Sequence, residues 1–377
     1  MKSSENLLMV ADSEHDANML YAVGMFVPDP FIYLRLRGKP FVVMSDLEID
    51  RAHKQARGCR VLSLTQVQHR LRSEGSRQTG LAEIVRRILR DHRVSSVTVP
   101  ETFPLKLAND LERLGVGVKA KAGMFFPQRE FKSSEEIRKI TAALRMAELG
   151  MAAGMTALKV SRVGRNRRLI YRGSPLTSEK LRGIIDTAIL LAGGLASHTI
   201  VAGGKQGCDP HETGQGPLRA NEPIILDIFP RSQTTGYFGD ITRTVVRGRA
   251  SESVRKLYQT VLEGQKLALS KIRAGTATTE IHRGIQDFFE EQGYHTGRRL
   301  GRMEGFFHGT GHGVGLEIHE APRVGSSSQG NLKPNQVVTV EPGLYYPQLG
   351  GVRLEDMVVV TNNGSRNLTR FEKILEI

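Results

Sequence analysis

Cysteine is nearly absent from this chain of 377 residues, which holds only Cys59 and Cys208. Two thiols exclude a disulfide framework and a thiolate-built metal site, so both read as reduced side chains, and a metal here has to be held by oxygen and imidazole. Long apolar runs are missing too. Nothing approaches the ~18 to 20 residues that span a bilayer, and the opening MKSSENLLMVADSEHDANML places acids where a secretory signal has its apolar core. No membrane association is expected, and the expected compartment is the cytoplasm. Acids themselves fall short of bases, 39 against 53, which leaves a formal charge of +14. Such a surface attracts nucleic acid, anionic membrane or carboxylate-bearing substrates. Its densest stretch, RVGRNRRLIYR from Arg162 to Arg172, lacks the interleaved aromatics of a single-strand binder. It reads as a solvated loop, and a nucleic-acid partner is not expected.

Apolar residues, by contrast, are plentiful: 39% of the chain is hydrophobic, enough for two packed cores. Up to about residue 130, short apolar strands (FIYLRL, KPFVVMSD, SSVTVP) alternate with amphipathic helices (LAEIVRRILRDH, PLKLANDLERLG), which describes an α/β domain over 1–130. Its histidines, His15, His53, His69 and His92, have no acids or glycines clustered around them and read as surface or packing residues. A break near FPQREFKSSEEIRK opens a second domain, 131–377, whose first helix is capped by Ser133 or Ser134 and carries Glu135 and Glu136 in its first turn. SPLTSEKLRGIIDTAILLAGG, capped around Thr177, is another helix, and SESVRKLYQTVLEGQKLALSKI and TTEIHRGIQDFFEEQG form a further pair.

Around those helices the sequence turns strand-like and repeats weakly. NEPIILD and PNQVVTVE both place an acid six residues after an asparagine, Asn221 to Asp227 and Asn335 to Glu341. A glycine then precedes the next acid by four, Gly236 to Asp240 and Gly351 to Glu355, and the acids are 240 − 227 = 13 and 355 − 341 = 14 apart. The pattern predicts two related helix-plus-strand halves that each bring two acids to one shared site. HGTGHGVGLEIHEAPR adds His308, His312 and His319 on a glycine-rich bent strand or loop. Four carboxylates and an imidazole make a hard, oxygen-rich set suited to divalent Mn, Co or Fe, with Zn as an alternative. Two cations fit better than one, because four uncompensated acids repel one another and take up protons, whereas a metal pair balances their charge. Such a pair generates a bridging hydroxide near neutral pH and polarises a carbonyl, so hydrolysis is the expected reaction. Spare histidines suit oxyanion stabilisation and protonation of a leaving amine.

In IILDIFP, GDITRT, HGTGHGVGL, TVEPGLY and VRLEDMV, the order Asp227, Asp240, His312, Glu341, Glu355 resembles the ligand pattern of the pita-bread aminopeptidases and prolidases, the peptidase M24 group. The resemblance covers about residues 133–377 and implies an α+β pita-bread catalytic domain; YAVGMFVPDPFIYL is similar to part of the creatinase-like α/β domain that precedes it in prolidases and aminopeptidase P. It implies that Asp227 and Asp240 bind one metal and His312 and Glu341 the other, with Asp240 and Glu355 bridging. It further implies that Glu341 helps activate the bridging water, and that His211, His308 and His319 orient substrate and stabilise the intermediate. Arg323, within HEAPR, resembles the prolidase arginine that receives the substrate's carboxylate end. Arg353, two residues before a ligand, is expected to orient a metal-binding carboxylate from behind, whereas His198 and His282 fall in no family motif and read as structural. The spacing of 13 between the aspartates is slightly longer than the family's usual one, and the turn PRSQTTG absorbs the difference. The expected activity is hydrolysis of Xaa-Pro bonds at the N-terminus of dipeptides or short peptides, by an Xaa-Pro dipeptidase or an aminopeptidase P, with two Mn or Co ions ahead of Zn or Fe. A homodimer is expected. A methionine aminopeptidase-like enzyme has to account for the extra domain, and a non-catalytic adaptor binding protein or nucleic acid should lack at least one ligand. The complete set also disfavours a metal-free, creatinase-like hydrolase.

Overall fold

The computed structural model describes residues 5–377, which form two compact units, one ending at Arg129 and the other running from Glu130 to Ile377. In the first, β1 (Leu7–Ala11), β2 (Phe31–Leu36), β3 (Lys39–Met44), β4 (Arg60–Ser63), β5 (Ser96–Pro100) and β6 (Gly117–Lys121) make one sheet in the order β4-β3-β2-β1-β5-β6. The three central strands pair antiparallel and the outer ones parallel. Strand side chains alternate between faces. Leu8, Val10, Ile32 and Leu34 therefore pack beneath helices α1 (Leu81–Asp91) and α2 (Leu105–Arg113), while Leu7, Met9, Phe31 and Tyr33 form a second core on the opposite face. With both faces covered, FIYLRL reads as an almost unbroken apolar run. His92 packs its ring on Phe41, 4.8 Å between centroids, and its Nδ1 donates to the Ile88 carbonyl.

The second unit opens with α3 (Ser134–Val160). Ser133 Oγ accepts from the Glu136 amide while the Glu136 carboxylate accepts from the Ser133 amide, a reciprocal cap that satisfies two otherwise orphaned donors. Helix α4 (Ser178–Leu191), capped by Thr177, lies close along α3, because at Gly150 and Gly154 even a β-carbon would come within 3 Å of Ile189 or Ile185. Strands β7 (Ile200–Gly203), β8 (Pro223–Ile228) and β9 (Ile241–Val246) follow as an antiparallel sheet in the order β7-β8-β9. The helix pair α5 (Glu252–Lys271) and α6 (Thr278–Glu291) comes next. After it come β10 (Gly311–Gly313), β11 (Glu320–Val324), β12 (Val337–Val340), the hairpin β13 (Gly343–Tyr346) and β14 (Gly350–Arg353), then β15 (Asp356–Val360) and β16 (Ser365–Asn367). The larger sheet has the order β11-β10-β12-β15-β16, with a register shift between His312 and Gly313.

The two halves of this unit correspond. Each consists of a helix pair and an antiparallel strand pair, β8 with β9 and β12 with β15. Asn221 and Asn335 both take left-handed backbone, φ 66° and 68°, which asparagine tolerates better than most residues. Their amides close the two ladders, donating to Arg247 O at 3.0 Å and Val360 O at 2.9 Å. The six-residue spacing thus marks the same turn twice. Before the second acid the halves diverge: a β-carbon on Gly239 would lie 2.3 to 2.5 Å from the α3 backbone at Ala143 and Leu144, so the strand approaches that helix as only glycine allows. The arginines at 162, 165, 167, 168 and 172 are exposed, and no helix among the described residues is long and apolar enough to cross a membrane.

Candidate metal centre

The acids sit where strands end: Asp227 late in β8, Asp240 just before β9, Glu341 just after β12 and Glu355 between β14 and β15. His312 occupies the middle of β10. Asp240, His312 and Glu355 are buried and each presents a donor atom within 4.8 Å of the other two. His312 Nε2 lies 3.5 Å from Glu341 Oε1 and 3.7 Å from Asp240 Oδ2. Those gaps are long for hydrogen bonds, yet two donors that each approach one ion at about 2.0 to 2.2 Å sit roughly 3 to 4 Å apart. Because His312 Nδ1 donates to the Gly313 carbonyl at 3.1 Å, the Nε2 lone pair faces the carboxylates. Burial brings the His312 pKa down to about 3, so the ring is neutral, the form that binds metal.

Burial, then the charges of neighbouring carboxylates, pushes Asp240 and Glu341 well above the usual carboxyl range. Burial and Asp227 raise Glu355 to about 7. Asp227 contributes a buried oxygen, Oδ1, with no hydrogen-bond partner. Mutually repelling acids, an unsatisfied carboxylate oxygen and a neutral imidazole all call for positive charge between them. The residues therefore fit divalent cations.

A hydrogen-bonded frame surrounds this cluster. The buried Arg353 donates through Nη2 to Asp227 Oδ2 at 2.6 Å and through Nη1 to the Tyr345 hydroxyl at 2.9 Å. His308 Nδ1 donates to the Gly309 carbonyl at 2.8 Å, which leaves its Nε2 to accept from the Tyr345 hydroxyl at 2.8 Å. Enclosure by protein, with the Arg353 charge nearby, lowers His308 to about 3, and burial raises Tyr345 to about 12, so both are neutral. Thr242 Oγ1 donates to Glu355 Oε2 at 2.8 Å. Behind it the buried Arg243 donates to the carbonyls of Thr242 (2.9 Å), Glu355 (2.6 Å), Phe371 (2.6 Å) and Glu372 (2.9 Å) and to Asp356 Oδ1 (3.0 Å). Lys373 also pairs with Asp356.

The remaining sequence candidates lie around the rim. The His319 ring stands edge-on to His312 at 4.4 Å. Arg323 is exposed and lies directly across the β10–β11 pair from His312. His211 is exposed on the loop after Cys208, near enough to disfavour protonation of His308 and His319, and is not among the donors that converge. His282 is buried with Nδ1 3.0 Å from Thr310 Oγ1, a packing position. Sequence reasoning missed Tyr345, Thr242, Arg243 and the buried Lys132–Glu320 ion pair, 2.8 Å, beside His319. Two of these carry a signal, since Thr242 shares a strand face with Asp240 by alternation and Tyr345 follows Glu341 by four in TVEPGLYY. Arg243 carries none, because ITRTVV is buried throughout.

Residues 136–362 match metallopeptidase family M24. The chain belongs to that family. An Xaa-Pro dipeptidase of Pyrococcus furiosus is 34% identical to the M24 chain over 248 residues, 66% of this chain and 65% of the relative, a little under two thirds of the latter's length. Among solved structures, an X-Pro aminopeptidase from Thermotoga maritima superposes with a TM-score of 0.83 at 22% identity, covering 99% of this chain and 97% of that one. An Xaa-Pro dipeptidase from Bacillus anthracis gives 0.82 at 23%, covering 99% and 95%. The fold is the α+β pita-bread arrangement with an N-terminal creatinase-like α/β domain. Divalent metal is the family's cofactor.

Proposed function

We propose that this M24 chain is a dinuclear metallopeptidase that hydrolyses the bond between an N-terminal residue and proline in dipeptides or short peptides. The observation that carries this reading is the convergence of Asp240, His312 and Glu355, joined by Glu341 and by the unsatisfied oxygen of Asp227. Asp227 and Asp240 would hold one divalent ion and His312 and Glu341 the other, with Asp240 and Glu355 between them. Mn or Co comes first for this oxygen-rich set, with Zn and Fe as alternatives. Bound there, the ions would supply Lewis-acid polarisation of the scissile carbonyl and an activated water. Glu341 would take the proton from that water, and His319 and His211 would orient the substrate and stabilise the tetrahedral oxyanion. His308, whose Nδ1 is held by the Gly309 carbonyl, would help orient the substrate by exchanging the Tyr345 hydroxyl at its Nε2 for a substrate N–H. Arg353 would hold Asp227 through Oδ2 and leave the unbonded Oδ1 for an ion. The free thiols of Cys59 and Cys208 support a reducing, cytoplasmic setting, and the reading includes a homodimer.

Arg323, exposed and across the strand pair from His312, is read as the receiver of a dipeptide's C-terminal carboxylate, a role that a guanidinium fork suits. Kinetics on an Xaa-Pro dipeptide, its C-terminal amide and an Xaa-Pro-Yaa tripeptide, with Mn added, test both the activity and this contact. Turnover of the dipeptide is expected. Arg323→Ala should raise KM on the dipeptide by the ~1.5 to 3 kcal/mol of a charge-assisted bond, and amidation should weaken the parent but add little to the variant's defect. Equal losses on all three substrates would remove Arg323 from the carboxylate site. No turnover, in a protein that takes up no cation, would overturn the metallopeptidase reading.

The histidines should separate into two classes. His312→Ala is expected to lower metal occupancy itself, whereas His308→Ala and His319→Ala should keep their metal and lose kcat. Metal analysis beside steady-state kinetics checks this, and equal metal loss in all three variants would erase the distinction.

A further inference from the structure

Gln265 is the outlier of helix α5. It is completely buried, on the helix that supplies Val261 and Ala268 to a core shared with Val338, Val340, Val352 and Leu354. Its Nε2 donates to Val340 O at 2.9 Å and to Leu354 O at 3.0 Å, while its Oε1 is buried without a partner. Two carbonyl acceptors identify the nitrogen end, since only the NH2 group can donate. As a stabilising residue it is a poor choice, because a half-satisfied amide in an apolar core costs more than a well-packed leucine. What it does that leucine cannot is tie two strand ends together from one nitrogen. Those ends belong to the residues immediately before Glu341 and Glu355. In the other half it is Gly239, the residue before Asp240, that lies directly against the α3 backbone.

We infer that Gln265 is a positioning residue whose amide fixes the separation of the Glu341 and Glu355 carboxylates, and so tunes how tightly the centre holds its cations. This rests on the metal reading above.

The test is calorimetric titration of the metal-free full chain with Mn2+, comparing the parent, Gln265→Leu, Gln265→Met and, as a control, Glu355→Gln. Both Gln265 variants should bind Mn2+ about 10- to 100-fold more weakly, the usual range for losing a group that orients a ligand. At saturating Mn2+ their KM for an Xaa-Pro dipeptide should match the parent's, whatever their metal-free melting temperature, since losing the unsatisfied oxygen and losing the donor to two buried carbonyls act in opposite directions. A merely structural role leaves the Mn2+ affinity unchanged and shows only in the metal-free melting temperature. A folded Gln265→Leu that binds Mn2+ like the parent would overturn the inference. The unbranched methionine variant decides the matter if the leucine variant does not fold, and failure of both to fold would also show that Gln265 serves folding. A parent that takes up no Mn2+ would overturn the metal reading itself, whereas a parent that does, with unaltered variants, would overturn only the role of Gln265.

Discussion

Asp240→Ala and Glu355→Ala should each abolish turnover and empty the centre of metal. The loss should exceed the ~10- to 100-fold typical of outer partners, because each carboxylate is proposed to touch both ions. Metal-free stability should move the other way. Asp240 and Glu355 are buried with their pKa values raised, so each ionised carboxylate opposes folding above its unfolded pKa. Alanine removes that opposition, and the metal-free variants should melt no lower than the metal-free parent. Metal analysis, turnover and calorimetry on the same preparations check all three points. Retained turnover with two ions bound would show that the bridging roles belong to other residues.

The second large effect concerns stability. Arg243→Met should cost about 3 to 5 kcal/mol, the usual cost of stripping a buried charge of its partner, because Asp356 loses its guanidinium and four carbonyls lose their donor. At roughly 2 to 4 °C per kcal/mol for a unit of this size, the melting temperature should fall by about 6 to 20 °C. Adding Asp356→Leu should recover part of the loss, since the buried carboxylate, left with only Lys373 and Asn367, goes with it. Thermal or denaturant unfolding of the single and double variants measures both. A single variant within about 1 kcal/mol of the parent would show that Lys373 and Asn367 suffice for Asp356.

The site was legible wherever chemistry and spacing coincide. Four acids at repeated intervals after matching asparagines, with His312 among glycines, stand out because each would be costly in a core without a purpose. The strands FIYLRL and SSVTVP and the helix caps at Ser133 and Thr177 were legible for local reasons, through apolar pattern and capping chemistry. The frame was not. Arg243 and Gln265 act on backbone carbonyls of residues about 75 to 130 positions away, and a carbonyl looks the same in every sequence. Lys132 meets Glu320 across 188 residues, so only the folded chain reveals that two ordinary charges are one buried pair. The strands at 60–63 and 117–121 also escaped, being short and half-exposed at the sheet's edges, where apolar pattern is weakest.

The paired halves have a kinetic consequence. Each closes its own strand ladder through its asparagine, Asn221 or Asn335, so each has local contacts with which to begin folding. Neither contains the centre, since Asp227 and Asp240 belong to one and Glu341 and Glu355 to the other, with 355 − 227 = 128 residues between the outermost. Closing that span is entropically slow, so the carboxylates meet late, after both ladders exist. In a chain whose two cysteines are free, an ion held by both halves, as proposed, would then act as a reversible cross-link between them.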